Sequence, residues 1–257
     1  MADRDSYKAG VPCWVDYSAK DRHAAADFYE RLFGWEALWE PDPAAGGYGQ
    51  FTMRGRRVAG IGPQFNDAMP AMWNSYVATD DVEATAEKVR NAGGQVVMPP
   101  MEVFDAGKMA GFLDAEGAFF LVWQALKHPG SQIVSEDGAY CWNELNTRDE
   151  QKALAFYPQV FGWEPRTDPG YTEWQLGGES QAGMMPMPEG VPAEVPPYWL
   201  VYFAVTDVDA SAVRAIALGA EQVSPFVDSP AGRLAVLRDP QGATFALITL
   251  VPHRAEG

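Results

Sequence analysis

The sequence is poor in the side chains that most redox and metal chemistry draws on. It holds two cysteines, Cys13 and Cys141, and three histidines, His23, His128 and His253, in 257 residues. Two cysteines are too few for a disulfide framework, and no exporting signal is evident. They stand at equivalent places in two repeats, so they read as small packed residues rather than a pair. The histidines are scattered: His23 on the exposed side of the first predicted helix, His128 in a linker, His253 in the tail. All three read as solvated surface residues, which leaves almost no room for a two-His-one-carboxylate dioxygenase centre. Positive charge is scarce too, with 19 Lys+Arg against 35 Asp+Glu and a formal charge of −16. Nucleic acid and anionic membranes attract basic patches, so neither is expected as a partner; the acidity reads as solubility. No apolar run reaches the roughly 18 residues of a membrane span, and residues 1–5 carry no apolar signal segment. The expected compartment is the cytoplasm. Signatures of other chemistries are missing as well. No Gly-rich phosphate loop follows a strand, Ala44-Ala45-Gly46-Gly47 being a turn, and no Gly-x-Ser-x-Gly elbow is present.

Aromatic residues and repetition are abundant. Nine Trp, ten Tyr and thirteen Phe supply a core or an aromatic-lined cavity. Cys13-Trp14-Val15-Asp16 lies over Cys141-Trp142-Asn143-Glu144, and Asp27-Phe28-Tyr29 over Ala155-Phe156-Tyr157. Phe33-Gly34-Trp35-Glu36 then lies over Phe161-Gly162-Trp163-Glu164. Gly47-Tyr48 and Val58-Ala59-Gly60 match Gly170-Tyr171 and Gln181-Ala182-Gly183. A second pair of segments repeats in the same way: Trp73 and Tyr76 over Trp199 and Tyr202, Asp114-Ala115-Glu116-Gly117 over Asp239-Pro240-Gln241-Gly242. The chain reads A-B-A′-B′. This places a first domain at 1–126 (modules 11–63 and 72–124), a linker at 127–135, and a second domain at 136–257 (modules 139–187 and 197–250).

Within each unit a short alternating strand precedes a helix and further strands. Asp21 is the predicted N-cap of the first helix, whose Ala25, Phe28, Tyr29, Leu32 and Phe33 follow helical spacing up to Gly34. The second copy runs from Asp149 to Gly162 with Pro158 inside the pattern, which predicts a kink or an early end. The B helices are expected to begin near Asp81 and Asp207 and to stop at Gly93 and Gly219. Short apolar stretches bounded by Gly, Pro or Asp follow as strands, so the unit is β-α-β-β-β.

Four features together resemble the vicinal-oxygen-chelate superfamily, the glyoxalase/bleomycin-resistance/dioxygenase group. They are the strand followed by Asp and Ala-x-x-Phe-Tyr, the Phe-Gly-Trp helix end, the Asp-Val helix start and the Asp-x-x-Gly turn before the last strand. The nearer likeness is to two-domain actinobacterial members labelled glyoxalase-like or hydroxylase, some of which accompany antibiotic biosynthesis or resistance. The resemblance implies an α+β fold of four βαβββ modules forming two tandem half-barrel domains, each around a ligand cavity. It also places the metal ligands of metal-using relatives at Trp14, Asn74 and Leu121 in the first half, and at Trp142, Leu200 and Ala246 in the second. Trp, Leu and Ala offer no donor and Asn is a poor one, so no metal or other cofactor is expected.

Alternation puts Trp14 and Asp16 on one strand face, and Trp142 with Glu144 likewise. Tyr76 and Tyr202 are inner-face candidates. Phe119, Leu121 and Trp123 are expected along the last strand of the first half, with Thr244, Ala246 and Ile248 in the second. Gln50 with Thr52, and Glu173 with Gln175, are expected as polar edges. These residues suit a flat, aromatic small-molecule ligand; they equally suit a plain hydrophobic core. Three functions stay open: metal-independent binding of a drug-like aromatic molecule, a metal-independent isomerase, lyase or hydroxylase-like enzyme using Asp16 or Glu144 as general base, and, least favoured, a metal glyoxalase or dioxygenase. Monomer and homodimer both fit.

Overall fold

In the computed structural model, residues 4–65 and 69–251 are described. His253 lies outside them. Four βαβββ modules follow one another. The first is β1 (Pro12–Ala19), α1 (Arg22–Phe33), β2 (Glu36–Trp39), β3 (Gly49–Met53) and β4 (Arg56–Pro63). The second is β5 (Met72–Ala78), α2 (Val82–Asn91), β6 (Gln95–Val103), β7 (Gly107–Leu113) and β8 (Phe119–Ala125). The third is β9 (Ala139–Thr147), α3 (Glu150–Phe161), β10 (Glu164–Asp168), β11 (Tyr171–Leu176) and β12 (Glu179–Pro186). In the fourth, β13 (Tyr198–Ala204) and α4 (Val208–Ala217) precede two short strands, β14 (Glu221–Gln222) and β15 (Val227–Ser229), then β16 (Gly232–Arg238) and β17 (Thr244–Leu250). The strand orders are β2-β3-β4-β1-β5-β8-β7-β6 and β10-β11-β12-β9-β13-β17-β16-β14. Neither order returns on itself, as expected of half-barrels rather than closed barrels. Among the described residues no helix is long and apolar enough to cross a membrane.

Helix ends follow the local chemistry. Asp21 Oδ1 accepts from the amides of His23 and Ala24, and Gly34 closes α1 at φ 74°. Asp81 and Asp207 cap α2 and α4 by accepting from Ala84 and Ala210. The third helix corrects the expectation of an early stop. Capped by Asp149, α3 runs through Pro158 to Phe161, and Gly162 N–H donates to the Pro158 carbonyl. Proline removes one helical donor, but Ala153, Phe156, Tyr157 and Val160 are buried along the helix. That burial outweighs one lost hydrogen bond.

By packing, the chain forms two compact units. One holds Met1–Val15, Asn74–Gln132 and Trp142–Leu200; the other holds Asp16–Trp73, Ile133–Cys141 and Val201–Gly257. In the first unit α2 packs against α3, over a core that includes Phe112, Phe120, Phe156, Trp163, Trp174 and Trp199. In that unit the Tyr157 hydroxyl donates to Asp114 Oδ2 (2.7 Å) and accepts from Trp199 Nε1 (3.1 Å). The other oxygen of Asp114 accepts three amides of its own turn, from Glu116, Gly117 and Ala118. In the second unit α1 packs against α4 and the same device recurs. Tyr29 donates to Asp239 Oδ2 (2.8 Å) and accepts from Trp73 Nε1 (2.8 Å). The Asp-x-x-Gly turn is thus a two-sided connector. One carboxylate oxygen shapes its own loop and the other fixes a tyrosine from a different module. A water-sized cavity lies on this helix side of the first unit, beside Ser75, Asn143 and Trp163.

Candidate functional site

Alternation divides β8 between two faces. Phe120 and Val122 join the helix-side core. On the other side Leu121 and Trp123 gather with Cys13, Trp14, Tyr76 and Ala78, fringed by Tyr7, Met98, Met109 and Phe119. Parallel register sets Tyr76 opposite Leu121 and Ala78 opposite Trp123. Five of the expected site residues are therefore brought together: Trp14, Tyr76, Leu121 and Trp123, each at most 6% exposed, with Phe119 partly buried against them. Asn74 is buried on β5, 1% exposed, two residues before Tyr76.

His128 corrects the expectation of a solvated linker residue. It is buried, its ring edge-on to Trp14 at 4.5 Å between centroids and to Trp123 at 5.6 Å. The linker is pinned there by hydrogen bonds. Trp123 Nε1 donates to the His128 carbonyl (2.8 Å), Ser131 N–H to the Cys13 carbonyl (2.8 Å), and the Tyr7 hydroxyl to the Ser131 carbonyl (2.5 Å). Gly130 lets the strap close: it sits at φ 115°, and a Cβ there would stand 2.4 Å from the Cys13 carbonyl oxygen. His23 is exposed, against Trp39, as expected.

The two carboxylates meet tyrosines that the sequence marked only as repeat landmarks. Asp16, 5% exposed on β1, accepts from the Tyr48 hydroxyl at 3.2 Å. Gly60 stands opposite Asp16 in register, and a Cβ there would lie 2.0 Å from the Tyr48 oxygen. The second copy repeats the arrangement. Glu144 on β9 is 6% exposed, Gly183 stands opposite it, and a Cβ on Gly183 would lie 1.9 Å from the Tyr171 oxygen. In this copy Trp142 Nε1 donates to the Tyr171 hydroxyl at 3.1 Å, and Tyr171 is hydrogen-bonded to Glu144. Burial, then the negative charge of Glu144, holds the Tyr171 phenol well above its ordinary range. Tyr198 is raised by the same two causes in the same order. Trp142 and Tyr171 are half-buried. Beside them Glu173 accepts from Gln175 Nε2 (2.9 Å) and from the Ser180 hydroxyl. Gln50 donates to Glu40 at 3.2 Å. Thr52 departs from the expected polar edge: a register shift after Phe51 accompanies its burial, and its hydroxyl donates to the Glu36 carbonyl.

The remaining candidates lie on β13 and β17. Leu200, Tyr202 and Ala246 are buried, with Tyr202 opposite Ala246 in parallel register. Where β8 carries Phe119, Leu121 and Trp123, β17 carries Thr244, Ala246 and Ile248. Each cysteine thiol donates to the carbonyl of the tyrosine on its neighbouring strand, Cys13 to Tyr76 (3.6 Å) and Cys141 to Tyr202 (3.4 Å). Burial pushes both thiols far up, the opposite of what a reactive thiolate needs.

At the positions that resemblance assigns to metal ligands stand two indoles, one amide, two leucines and an alanine. That donor set does not fit a transition metal. Among the described residues no group of three or more His, Cys, Asp or Glu side chains is placed to hold a cation.

Comparison with known proteins agrees with the modules. Residues 14–122 match the Glyoxalase/Bleomycin resistance protein/Dioxygenase superfamily, and residues 142–248 match the Glyoxalase-like domain. The chain is 41% identical over 266 residues to the putative glyoxylase CFP32 of Mycobacterium tuberculosis (strain CDC 1551 / Oshkosh), covering 99% of this chain and 100% of that protein. It is 40% identical to the anthracycline biosynthesis protein DnrV of Streptomyces peucetius, over 95% of this chain and 94% of the other. Two solved structures share the fold. The Mn(II)-bound glyoxalase from Novosphingobium aromaticivorans has a TM-score of 0.65 at 17% identity, covering 96% of this chain and 86% of that one. The 2,3-dioxygenase LapB from Pseudomonas sp. KL28 has a TM-score of 0.67 at 12% identity, covering 97% and 96%. With relatives of this identity along nearly its whole length, the chain belongs to the glyoxalase/bleomycin resistance protein/dioxygenase superfamily.

Proposed function

We propose that the protein binds a bulky aromatic small molecule without a metal, in one or both halves, as an accessory to the biosynthesis of such a compound or to resistance against it. The observation that carries this is the chain Trp142–Tyr171–Glu144: an indole, a phenol and a buried carboxylate linked by hydrogen bonds on a half-buried strand face. Indole and phenol rings offer stacking worth about 0.5–1.5 kcal/mol beyond area burial. A carboxylate with little water around it favours a ligand that brings a hydroxyl or ammonium donor. The relatives named for anthracycline biosynthesis support the ligand class, and the misfit of the metal positions supports the absence of metal chemistry.

The test is a thermal-unfolding screen of the purified chain against aromatic polyketides, with tryptophan fluorescence as second readout. A true ligand at about 100 times its Kd stabilises by roughly 2.7 kcal/mol. No shift and no quenching across the panel would overturn the reading.

A second reading rests on the burial of Glu144 beside two phenols whose proton affinity it raises. Such a carboxylate is placed to act as a general base on an acidic C–H or O–H of a bound ligand; Asp16 with Tyr48 is the counterpart in the first half. Turnover of a bound aromatic substrate that disappears in Glu144→Gln while binding persists would favour this reading over pure binding.

A further inference from the structure

The repeat offers two candidate sites, and the two copies are not equivalent. We infer that the second half alone takes the ligand, one molecule per chain, at Trp142, Glu144, Tyr171 and Tyr198, and that the aromatic face around Trp14 is a closed structural core. The inference rests on the binding reading above and deepens it by assigning site, stoichiometry and ligand chemistry.

Two independent observations support it. The first is exposure: Trp14 is 3% exposed, while Trp142 at the same repeat position is half-buried. The second is closure by the chain itself. His128 sits edge-on to Trp14 and Trp123, and the strap that carries it is tied down by Trp123 Nε1, the Cys13 carbonyl and Tyr7. An aromatic ligand entering there would have to displace an imidazole and break those hydrogen bonds.

The polar chemistry of the second copy sets the ligand class. Trp142 donates to Tyr171, and Tyr171 is hydrogen-bonded to Glu144, so a relay ends on a carboxylate whose charge also reaches Tyr198. Negative charge held at low exposure is stabilised by a donor arriving with the ligand. The ligand class is therefore a planar aromatic carrying a hydroxyl or an ammonium group.

The glycines provide a matched test. Gly183→Ala would drive a methyl into the Tyr171 hydroxyl and Gly60→Ala would do the same to Tyr48, with almost identical geometry. Calorimetric titration of the full chain with alizarin, a planar dihydroxy aromatic, should give one molecule per chain. Gly183→Ala and Tyr171→Phe should weaken binding about tenfold, and Gly60→Ala should leave it within about twofold. Two molecules per chain, or a larger loss from Gly60→Ala than from Gly183→Ala, would overturn the inference. If alizarin and the wider panel bind nowhere, the binding reading falls, and the difference between the halves is read separately by N-bromosuccinimide oxidation with peptide mapping. Trp142 modified ahead of Trp14 supports the closed first face; equal rates, or Trp14 first, refute it.

Discussion

Trp14 and Trp142 occupy one position of a duplicated sequence and have acquired different surroundings. Around Trp14 a linker histidine, a second indole and the N-terminal Tyr7 complete an apolar cluster. Trp142 donates to a phenol that is itself hydrogen-bonded to a buried carboxylate. The backbone devices were kept in both copies: a glycine opposite a carboxylate, and a tyrosine hydroxyl laid across that glycine. What changed is what covers the indole. Duplication preserves the strand register that positions a side chain, while the chain segments and neighbouring strands that cover it are free to diverge.

Stability measurements can break this comparison first. Trp14→Ala should cost about 3–5 kcal/mol, the range for a large aromatic removed from a packed core, and Trp142→Ala less than about half of that. Urea denaturation of both variants checks it, and equal losses would mean that the two indoles are packed alike.

The tyrosine–aspartate connectors should instead behave as twins. Tyr29→Phe and Tyr157→Phe each leave a buried carboxylate oxygen and an indole N–H without their partner, at about 1–3 kcal/mol each. Burial, then the nearby aspartate, keeps both phenols protonated far above their ordinary value of 10.0. Their folded pKa is raised, so the stability they confer is complete below that value and is lost as pH rises above it. Phenolate absorbance from these two residues should appear only together with alkaline unfolding. A marked difference between the twin variants would show that the two units are not held in the same way.

A smaller effect separates the two A helices. Pro158 in α3 stands where α1 has Glu30. Pro158→Ala restores a helical donor and should stabilise by about 1 kcal/mol, read as a rise in urea midpoint. An unchanged or lowered midpoint would show that the proline ring contributes packing of its own. The smallest effect is chemical. Both thiols are held protonated by burial, but Cys13 is fully buried and Cys141 half-buried. A disulfide reagent should label Cys141 slowly in the native protein and Cys13 only on unfolding; the reverse order would contradict the closed first face.

Local chemistry in the sequence carried the caps, the strand periodicity and the repeat. Asp21, Asp81, Asp149 and Asp207 are N-caps because a short carboxylate before an apolar-periodic run can do little else so well. Pro158 misled because propensity counts the lost donor and not the buried face that compensates for it. His128 misled for a related reason: next to Pro129 and Gly130 it has the local look of a linker, and nothing nearby in sequence announces the two indoles that enclose it. Tyr48 and Tyr171 were visible as repeated residues, but only the glycines facing them show that their hydroxyls lie over a carboxylate.

By itself, then, the sequence determined the βαβββ modules, their fourfold order, the family they resemble and the placing of Trp and a carboxylate two residues apart on one strand face. These follow from interactions within a few residues, where period two and period 3.6 leave little freedom. Tertiary structure alone decided which modules pack into a compact unit, which indole is covered and which is left half-open, and that each carboxylate meets a tyrosine. Those outcomes depend on segments tens to hundreds of residues apart, whose meeting is set by the burial of whole faces rather than by any local preference.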